Sequence, residues 1–304
     1  MPQPLLTLAE GVHVHVPADL DPARAGWCLS NSGVIADGGE VLVVDTGATE
    51  RRARALRAAV AAVAPGPVST VVNTHFHGDH TFGNFVFRPE ATIVQHEGAR
   101  AEAEFAGLHM SGLWPEVEWG ALSVSLGGVT FRDTMTVHVG ELRVELVHPG
   151  LAHTGGDAVV WVPERSVLFT GDVVMSGATP FCLMGSISGS LRAVELLRGL
   201  GARTLVSGHG QPGGPELFDV TESYLRWVQG LAADGVRRGI EPLALARETD
   251  LGEFAGLQDP ERLVGNLHRA YAEERGLPEG AALDVVSVFY EMAELHGGPL
   301  TCLA

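Results

Sequence analysis

The chain has 304 residues, 45% of them hydrophobic, enough for one large domain or one domain with a helical appendage. Its formal net charge is −17, and all 20 basic residues are arginine, which reads as codon bias rather than function. Such an acidic chain argues against sequence-independent nucleic-acid binding and against an anionic membrane surface, since both need clustered positive charge; no apolar run reaches the length of a membrane span.

The first strand signal lies within residues 5–16, where Val12-His13-Val14-His15-Val16 alternates as a half-buried strand does. Residues 29–36, a Gly38-Gly39 turn and residues 41–45 give a hairpin signal. Residues 49–63 have helical spacing and 68–74 form a short apolar, strand-like run. A strand is expected at 91–95 and a helix at 96–107, while 108–122 fits no period well. Strands follow at 134–139, 142–147, 157–162 and 166–170, then a helix at 188–200 and a strand at 204–207. From about residue 215 the pattern turns helical, at 215–238, 242–248, 259–275 and 281–294. Two rounds of strands, each relieved by helices, predict two sheets sandwiched between helix layers.

Met1-Pro2-Gln3-Pro4 lacks a basic segment followed by an apolar one, so the expectation is a cytoplasmic protein without a signal peptide. Cys28, Cys182 and Cys302 are odd in number, far apart and form no CxxC pair. Reduced thiols are expected and a cysteine metal site is not. Arg226, Arg237 and Arg238 form a candidate patch for a small acidic partner, although solvated helix faces are the plainer reading.

The chemistry concentrates in Asn73-Thr74-His75-Phe76-His77-Gly78-Asp79-His80, which holds His-x-His-x-Asp-His directly after an apolar run. A loop at a strand end can aim His75 and His77 at one metal. Asp79 and His80, at the start of a following helix, can face a second. Imidazole and carboxylate suit zinc and related divalent ions. A lone histidine is usually a surface or core residue, but four potential ligands in six residues rarely arise for packing. One such motif comfortably supplies at most two ligands per metal, so others must come from downstream. His153 in Pro149-Gly150-Leu151-Ala152-His153-Thr154, Asp172 in Thr170-Gly171-Asp172 and His209 in Ser207-Gly208-His209-Gly210 each lie in a glycine-containing loop near a strand end.

That order resembles the metallo-β-lactamase superfamily over about residues 5–214. The resemblance implies an α/β fold, an αββα sandwich with metals at one edge. It assigns His75, His77 and His153 to one ion, and Asp79, His80 and His209 to the other, with Asp172 bridging. It makes Asp45, in Val44-Asp45-Thr46-Gly47, the aspartate that orients the ligand loop; a turn-capping role is equally compatible. Asp stands at 172 where many antibiotic-hydrolysing members carry cysteine, and His at 77 where flavo-diiron members carry a carboxylate. The set is similar to the glyoxalase II type, which cleaves thioesters.

A narrower resemblance rests on Gly26-Trp27-Cys28-Leu29-Ser30-Asn31, Ser111-Gly112-Leu113-Trp114-Pro115 and Gly171-Asp172-Val173-Val174-Met175-Ser176-Gly177. Further motifs are Tyr224-Leu225-Arg226-Trp227-Val228-Gln229, Asn266-Leu267-His268-Arg269-Ala270 and Thr301-Cys302-Leu303-Ala304. These are similar to the actinorhodin-type second-ring cyclases of aromatic type II polyketide pathways. The resemblance implies a catalytic domain at 1–214, a packed helical C-terminal extension at 215–304, two zinc ions (iron or manganese being compatible with the same residues), and an acyl-carrier-protein-bound polyketide as substrate. The implied reaction closes the second ring by aldol condensation and then hydrolyses the thioester, with Asp79, Asp172 and His153 as catalytic residues. His109, Met110, Trp114 and Trp119, with Phe181 and Met184 in a second segment, either line a mostly apolar pocket or plug a core edge. His268 and Tyr271 are expected to pack helices.

Gly208-His209-Gly210-Gln211-Pro212-Gly213 matches Gly-x-Gly-x-x-Gly, but Pro212 and Pro215 interrupt the helix a dinucleotide site would need. His96-Glu97 begins a zincin motif that Arg100 breaks, and no serine nucleophile elbow is evident. Two other readings stand beside the cyclase: a glyoxalase II-like thioesterase for small thiol esters, and a non-enzymatic metal-holding scaffold that guides folding of a reactive polyketone.

Overall fold

A computed structural model describes residues 5–17, 26–64 and 66–304, and the reading of Met1-Pro2-Gln3-Pro4 lies outside them. Strands β1 (Leu6–Ala9), β2 (Val12–His15), β3 (Ser32–Asp37), β4 (Glu40–Val44), β5 (Val68–Val72), β6 (Thr92–His96) and β7 (Val129–Phe131) make one sheet in that order. It is antiparallel from β1 to β4 and parallel from β4 to β7. A second sheet runs β12-β11-β10-β9-β8, built from β8 (Thr134–Val139), β9 (Leu142–Val147), β10 (Val159–Val162), β11 (Val167–Gly171) and β12 (Thr204–Ser207). Its β11–β12 pair is parallel.

Strand alternation decides what each face meets. In β4, Leu42 and Val44 turn inward to meet Val144, Leu146 and Phe169 between the sheets. Val41 and Val43 turn outward to Leu56 and Val60 of helix α1 (Glu50–Val63). The second sheet repeats the device: Val160 faces the first sheet, while Val159 and Trp161 cover Val194 and Leu197 of helix α5 (Ile187–Arg198). Helices therefore shield both outer faces, giving the αββα sandwich. The sheets approach so closely at Gly33 that a Cβ there would lie 2.5 Å from the Phe169 ring.

Short helices α2 (Gly78–Thr81) and α3 (Asn84–Phe87) follow β5, and α4 (Glu97–Ala106) follows β6. The chain ends in helices α6 (Glu216–Arg238), α7 (Pro242–Glu248), α8 (Arg262–Glu274) and α9 (Val285–His296). Tyr224, Leu267 and Met292 from these helices share one buried cluster with Trp27, Trp114 and Phe181 from loops of the sandwich. His268 and Tyr271 are packing residues: His268 Nε2 is 2.8 Å from Glu291 Oε2, and the Tyr271 hydroxyl donates to the Ile240 carbonyl. None of the described helices is long and apolar enough to cross a membrane.

Three local differences have physical reasons. The alternation at 12–16 contains β2, and a second strand, β1, precedes it, because Gly11 turns with φ +73° and a Cβ there would press on the Ala36 carbonyl oxygen at 2.6 Å. The hairpin strand begins at Ser32, not Leu29, because Ser30 bridges to His209 and the Asn31 amide donates to the Gly208 carbonyl at 2.7 Å. Strand β7 has no sequence signal: two of its three residues are exposed, and it exists by pairing with β6.

Candidate metal centre

The loops that carry the polar cluster leave neighbouring strand ends. Thr74 and His75 follow β5, Asp172 follows β11 and His209 follows β12, the carboxyl-end position where open α/β sheets place ligands. His153 comes from the β9–β10 connection. Asp45, just after β4, sits at φ +58°, a left-handed conformation that Asp tolerates better than most residues, and Gly171 turns β11 into Asp172 with φ +51°.

Two groups of ligand atoms result. His75, His77, His153 and Asp172 offer atoms within 4.8 Å of one another, and so do Asp79, His80 and His209. In the first, His77 Nδ1 lies 3.1 Å from His75 Nε2 and 3.0 Å from His153 Nε2. In the second, Asp79 Oδ2 is 3.6 Å from His80 Nε2 and 3.4 Å from His209 Nε2. Asp172 lies between them: Oδ1 is 3.4 Å from His80 Nε2, and Oδ2 is 3.2 Å from His209 Nε2 and 3.6 Å from His153 Nε2. All seven sequence-predicted ligands thus come together in these two groups, with Asp172 within reach of both.

The surroundings set the tautomers. Carbonyls only accept, so His153 Nδ1–H donates to Phe181 O (2.5 Å) and His209 Nδ1–H to Leu29 O (3.0 Å). His80 Nδ1–H donates to Asp45 Oδ2 at 2.8 Å. The Thr74 hydroxyl donates to the same oxygen at 2.7 Å, so it can accept from His75 Nδ1–H at 3.0 Å. With each Nδ1 occupied by a proton, the Nε2 lone pairs of these four imidazoles face inward, the usual preparation for a metal. Asp45 controls two of them and also accepts from the Thr74 amide at 2.8 Å. Asn73 and Asn84 pair with each other, and the Asn73 amide donates to the His80 carbonyl, fixing α2.

The electrostatics ask for a cation. His80 Nε2 and Asp172 Oδ1 are buried, face each other, and have no hydrogen-bond partner among the described residues. A lone pair opposing a carboxylate oxygen leaves two acceptors without a donor, which a divalent ion would resolve. Burial, with the nearby histidines, holds the His75 and His77 rings well below the usual imidazole range, and burial first among several influences holds His153 below it too. For His80, burial works the same way, but the carboxylates of Asp79, Asp172 and Asp45 outweigh it and push the ring up to about 10. Burial likewise opposes a charged Asp172, yet His209 and His80 hold its carboxyl well below the usual range.

The sequence model of the Metallo-beta-lactamase superfamily matches residues 25–209. The chain belongs to this superfamily. Its fold with these His/Asp clusters suits a binuclear metal site. It is 31% identical over 143 residues to the 2,4-dinitroanisole O-demethylase subunit alpha of Nocardioides sp., covering 46% of this chain and 39% of that one. The chain thus spans about two fifths of that relative's length. Hydroxyacylglutathione hydrolase of Hyphomonas neptunium is 26% identical over 223 residues, covering 69% of this chain and 78% of the hydrolase. Among solved structures, a metallo-beta-lactamase from Pontibacter korlensis superposes with a TM-score of 0.59 at 21% identity, covering 73% of this chain and 98% of that one, which speaks to the fold.

The six residues expected to line or plug a pocket separate by burial. Trp114 and Phe181 are core residues, 2% and 3% exposed. Trp114 Nε1 donates to the Leu300 carbonyl at 2.7 Å, and Phe181 packs edge-on to Trp27 with ring centroids 5.3 Å apart. Met110, Trp119 and Met184 lie half-buried against the same cluster, and His109 is exposed at the start of a 3₁₀ turn. Arg226 pairs with Glu222, Arg237 and Arg238 with Asp234, and Arg238 also with Glu248 of α7, so each of these arginines already has an acidic neighbour. The Gly-x-Gly-x-x-Gly segment opens no helix before Glu216, and its histidine belongs to the metal cluster. Sequence reasoning missed Thr74 and the carbonyls of Leu29 and Phe181. Thr74 left a trace, its place immediately before the first histidine; a carbonyl leaves none, because every residue has one.

Proposed function

We propose that this chain is a binuclear metal-dependent thioester hydrolase that acts on an acyl-carrier-bound aromatic polyketide and closes its second ring before release. The observation that carries the hydrolase part is the pair of ligand groups sharing Asp172, with inward lone pairs fixed by Asp45 and backbone carbonyls. When bound, two divalent ions would acidify a water molecule and polarise a carbonyl oxygen. His75, His77 and His153 are kept neutral by burial and present nitrogen lone pairs. Asp79 offers one oxygen to the second ligand group, and its other oxygen would be the chain's own acceptor for the C–H proton of the aldol step, provided the substrate carbon comes within hydrogen-bond reach. The Trp27–Phe181 pair stands behind His153 and excludes water from that side.

Support for thioester cleavage also comes from the hydroxyacylglutathione hydrolase relative, whose named substrate is an acyl thiol ester. Support for a polyketide comes from the sequence motifs that span both the sandwich and the helices. On this reading residues 1–214 form the catalytic domain, 215–304 a helical extension packed on it, and the reaction takes place in the cytoplasm. The second reading, a glyoxalase II-like enzyme for small thiol esters, is favoured by the same relative. Single-turnover product analysis with a carrier-bound, first-ring-closed polyketide separates the two, comparing as-isolated, chelated and zinc-restored protein. Metal-dependent release of a free bicyclic acid is expected. Unchanged carrier-bound substrate alongside turnover of glutathione thioesters would replace this reading with the second.

A further inference from the structure

The C-terminal tail returns to the loop that supports the metal cluster. The Leu303 amide donates to the Trp27 carbonyl at 2.9 Å, Arg52 Nη2 donates to the Leu303 carbonyl at 2.9 Å, and Trp114 Nε1 holds the Leu300 carbonyl. The Trp27–Leu303 bond sets Cys302, one residue back, beside Cys28, one residue on. The two thiols are within hydrogen-bonding reach of each other. A disulfide needs the two side chains to approach this closely, and Cys28 leaves its turn at φ +67° with its thiol toward Cys302. The loop at Cys28 is part of the metal centre's support. Leu29 O accepts the hydrogen bond from His209 Nδ1–H, and Ser30 Oγ donates to the Asp79 carbonyl at 2.5 Å.

We propose that Cys28 and Cys302 are a redox pair, and that their oxidation to an intrachain disulfide latches the C-terminal tail onto the loop that orients His209 and Asp79. The oxidant is a small-molecule disulfide. Cys302, the more exposed of the two, attacks as thiolate; one sulfur of the oxidant joins Cys302 and the other leaves as thiolate. That thiolate takes the Cys28 proton. Cys28 then attacks the Cys302 sulfur and displaces the second small thiolate. Two cysteine sulfurs are oxidised, one small disulfide is reduced to two thiols, and no other reactant is needed. Exposure sets the order, since Cys28 is buried and Cys302 only partly so. The hydrogen bond from Cys28 also holds the Cys302 thiol below its ordinary range, whereas burial pushes Cys28 well up. Cys182 is an internal control: it is buried, hydrogen-bonded to Ser190, and pushed up to about 12 by burial.

The test is incubation of the full chain with glutathione disulfide, acid quench, alkylation, digestion and mass spectrometry. The expected product is a Cys28–Cys302 linked peptide, about tenfold or more in excess over glutathionylated Cys302 because the second step is intramolecular, with Cys182 alkylated. In Cys28→Ser the reaction should stop at the Cys302–glutathione adduct. Wild-type protein that accumulates this adduct while Cys28 remains alkylated, or that leaves both cysteines alkylated, would overturn the latch.

Discussion

Asp45 is the most economical place to break the metal centre without touching a ligand. In Asp45→Asn the side-chain oxygen must stay opposite the Thr74 amide, which approaches Oδ1 at 2.8 Å. The new NH₂ then replaces Oδ2, where it faces His80 Nδ1 at 2.8 Å and Thr74 Oγ1 at 2.7 Å. Both contacts reverse. His80 must accept at Nδ1 and move its proton to Nε2. The Thr74 hydroxyl, left without its acceptor, turns to His75 Nδ1 and sends that ring's proton to Nε2 as well. One inward lone pair is lost from each ligand group. Asn tolerates the +58° φ of this position, so the backbone has no reason to move. Loss of such an orienting partner typically costs tenfold to a hundredfold in metal affinity, about 1.4–2.8 kcal/mol. Competition for zinc against a chromophoric chelator measures it, with metal-free thermal unfolding as the check on folding. A folded Asp45→Asn protein that binds zinc as tightly as wild type would refute the tautomer argument.

Gly208→Ala puts a Cβ onto Asp172 Oδ1 and within 3.0 Å of His80 Cε1; displacing the shared carboxylate should lower turnover by about a hundredfold while circular dichroism stays native. Glu102, which accepts from the Gly155 amide in the His153 loop, is pushed up to about 7 by burial from a usual value of 4.5. The folded chain therefore holds the extra proton, and this residue's contribution to stability is full below pH 4.5 and fades as pH rises to 7. Glu102→Gln should unfold at higher denaturant than wild type at pH 8, by about 1 kcal/mol or more, with the advantage gone near pH 4; equal stability at pH 8 would contradict it. Trp114→Phe removes the hydrogen bond to Leu300 and should cost about 1 kcal/mol in stability with turnover nearly unchanged, because Trp114 is core; a selective loss of turnover would make it a pocket residue instead.

The helix layers and most strands were legible because their apolar periods are long and uninterrupted. In β4, one face of alternating valines and leucine packs on the partner sheet and the other on α1. What escaped lacked such a period. Strand β7 is three residues held by its neighbour, and β1 is four residues that reach β2 through a turn at Gly11 with positive φ. The ligands were legible because four of them crowd into six residues and the rest share glycine-bounded loops at strand ends. Their orientation was less so. The Leu29 and Phe181 carbonyls that fix two imidazoles come from backbone, and Thr74 acts through a carboxylate 29 positions away. Trp114 and Phe181 show the opposite problem: an aromatic residue in an irregular segment reads alike whether it lines a pocket or fills a core, and only the helices that cover it decide.

Thioester cleavage should depend on the binuclear site. The direct measurement is thiol release from a carrier-bound acyl thioester while metal-free protein is titrated with zinc. Activity should be absent without metal and complete when two ions are bound per chain. Full turnover by chelated protein, with metal absence verified on the same sample, would contradict it.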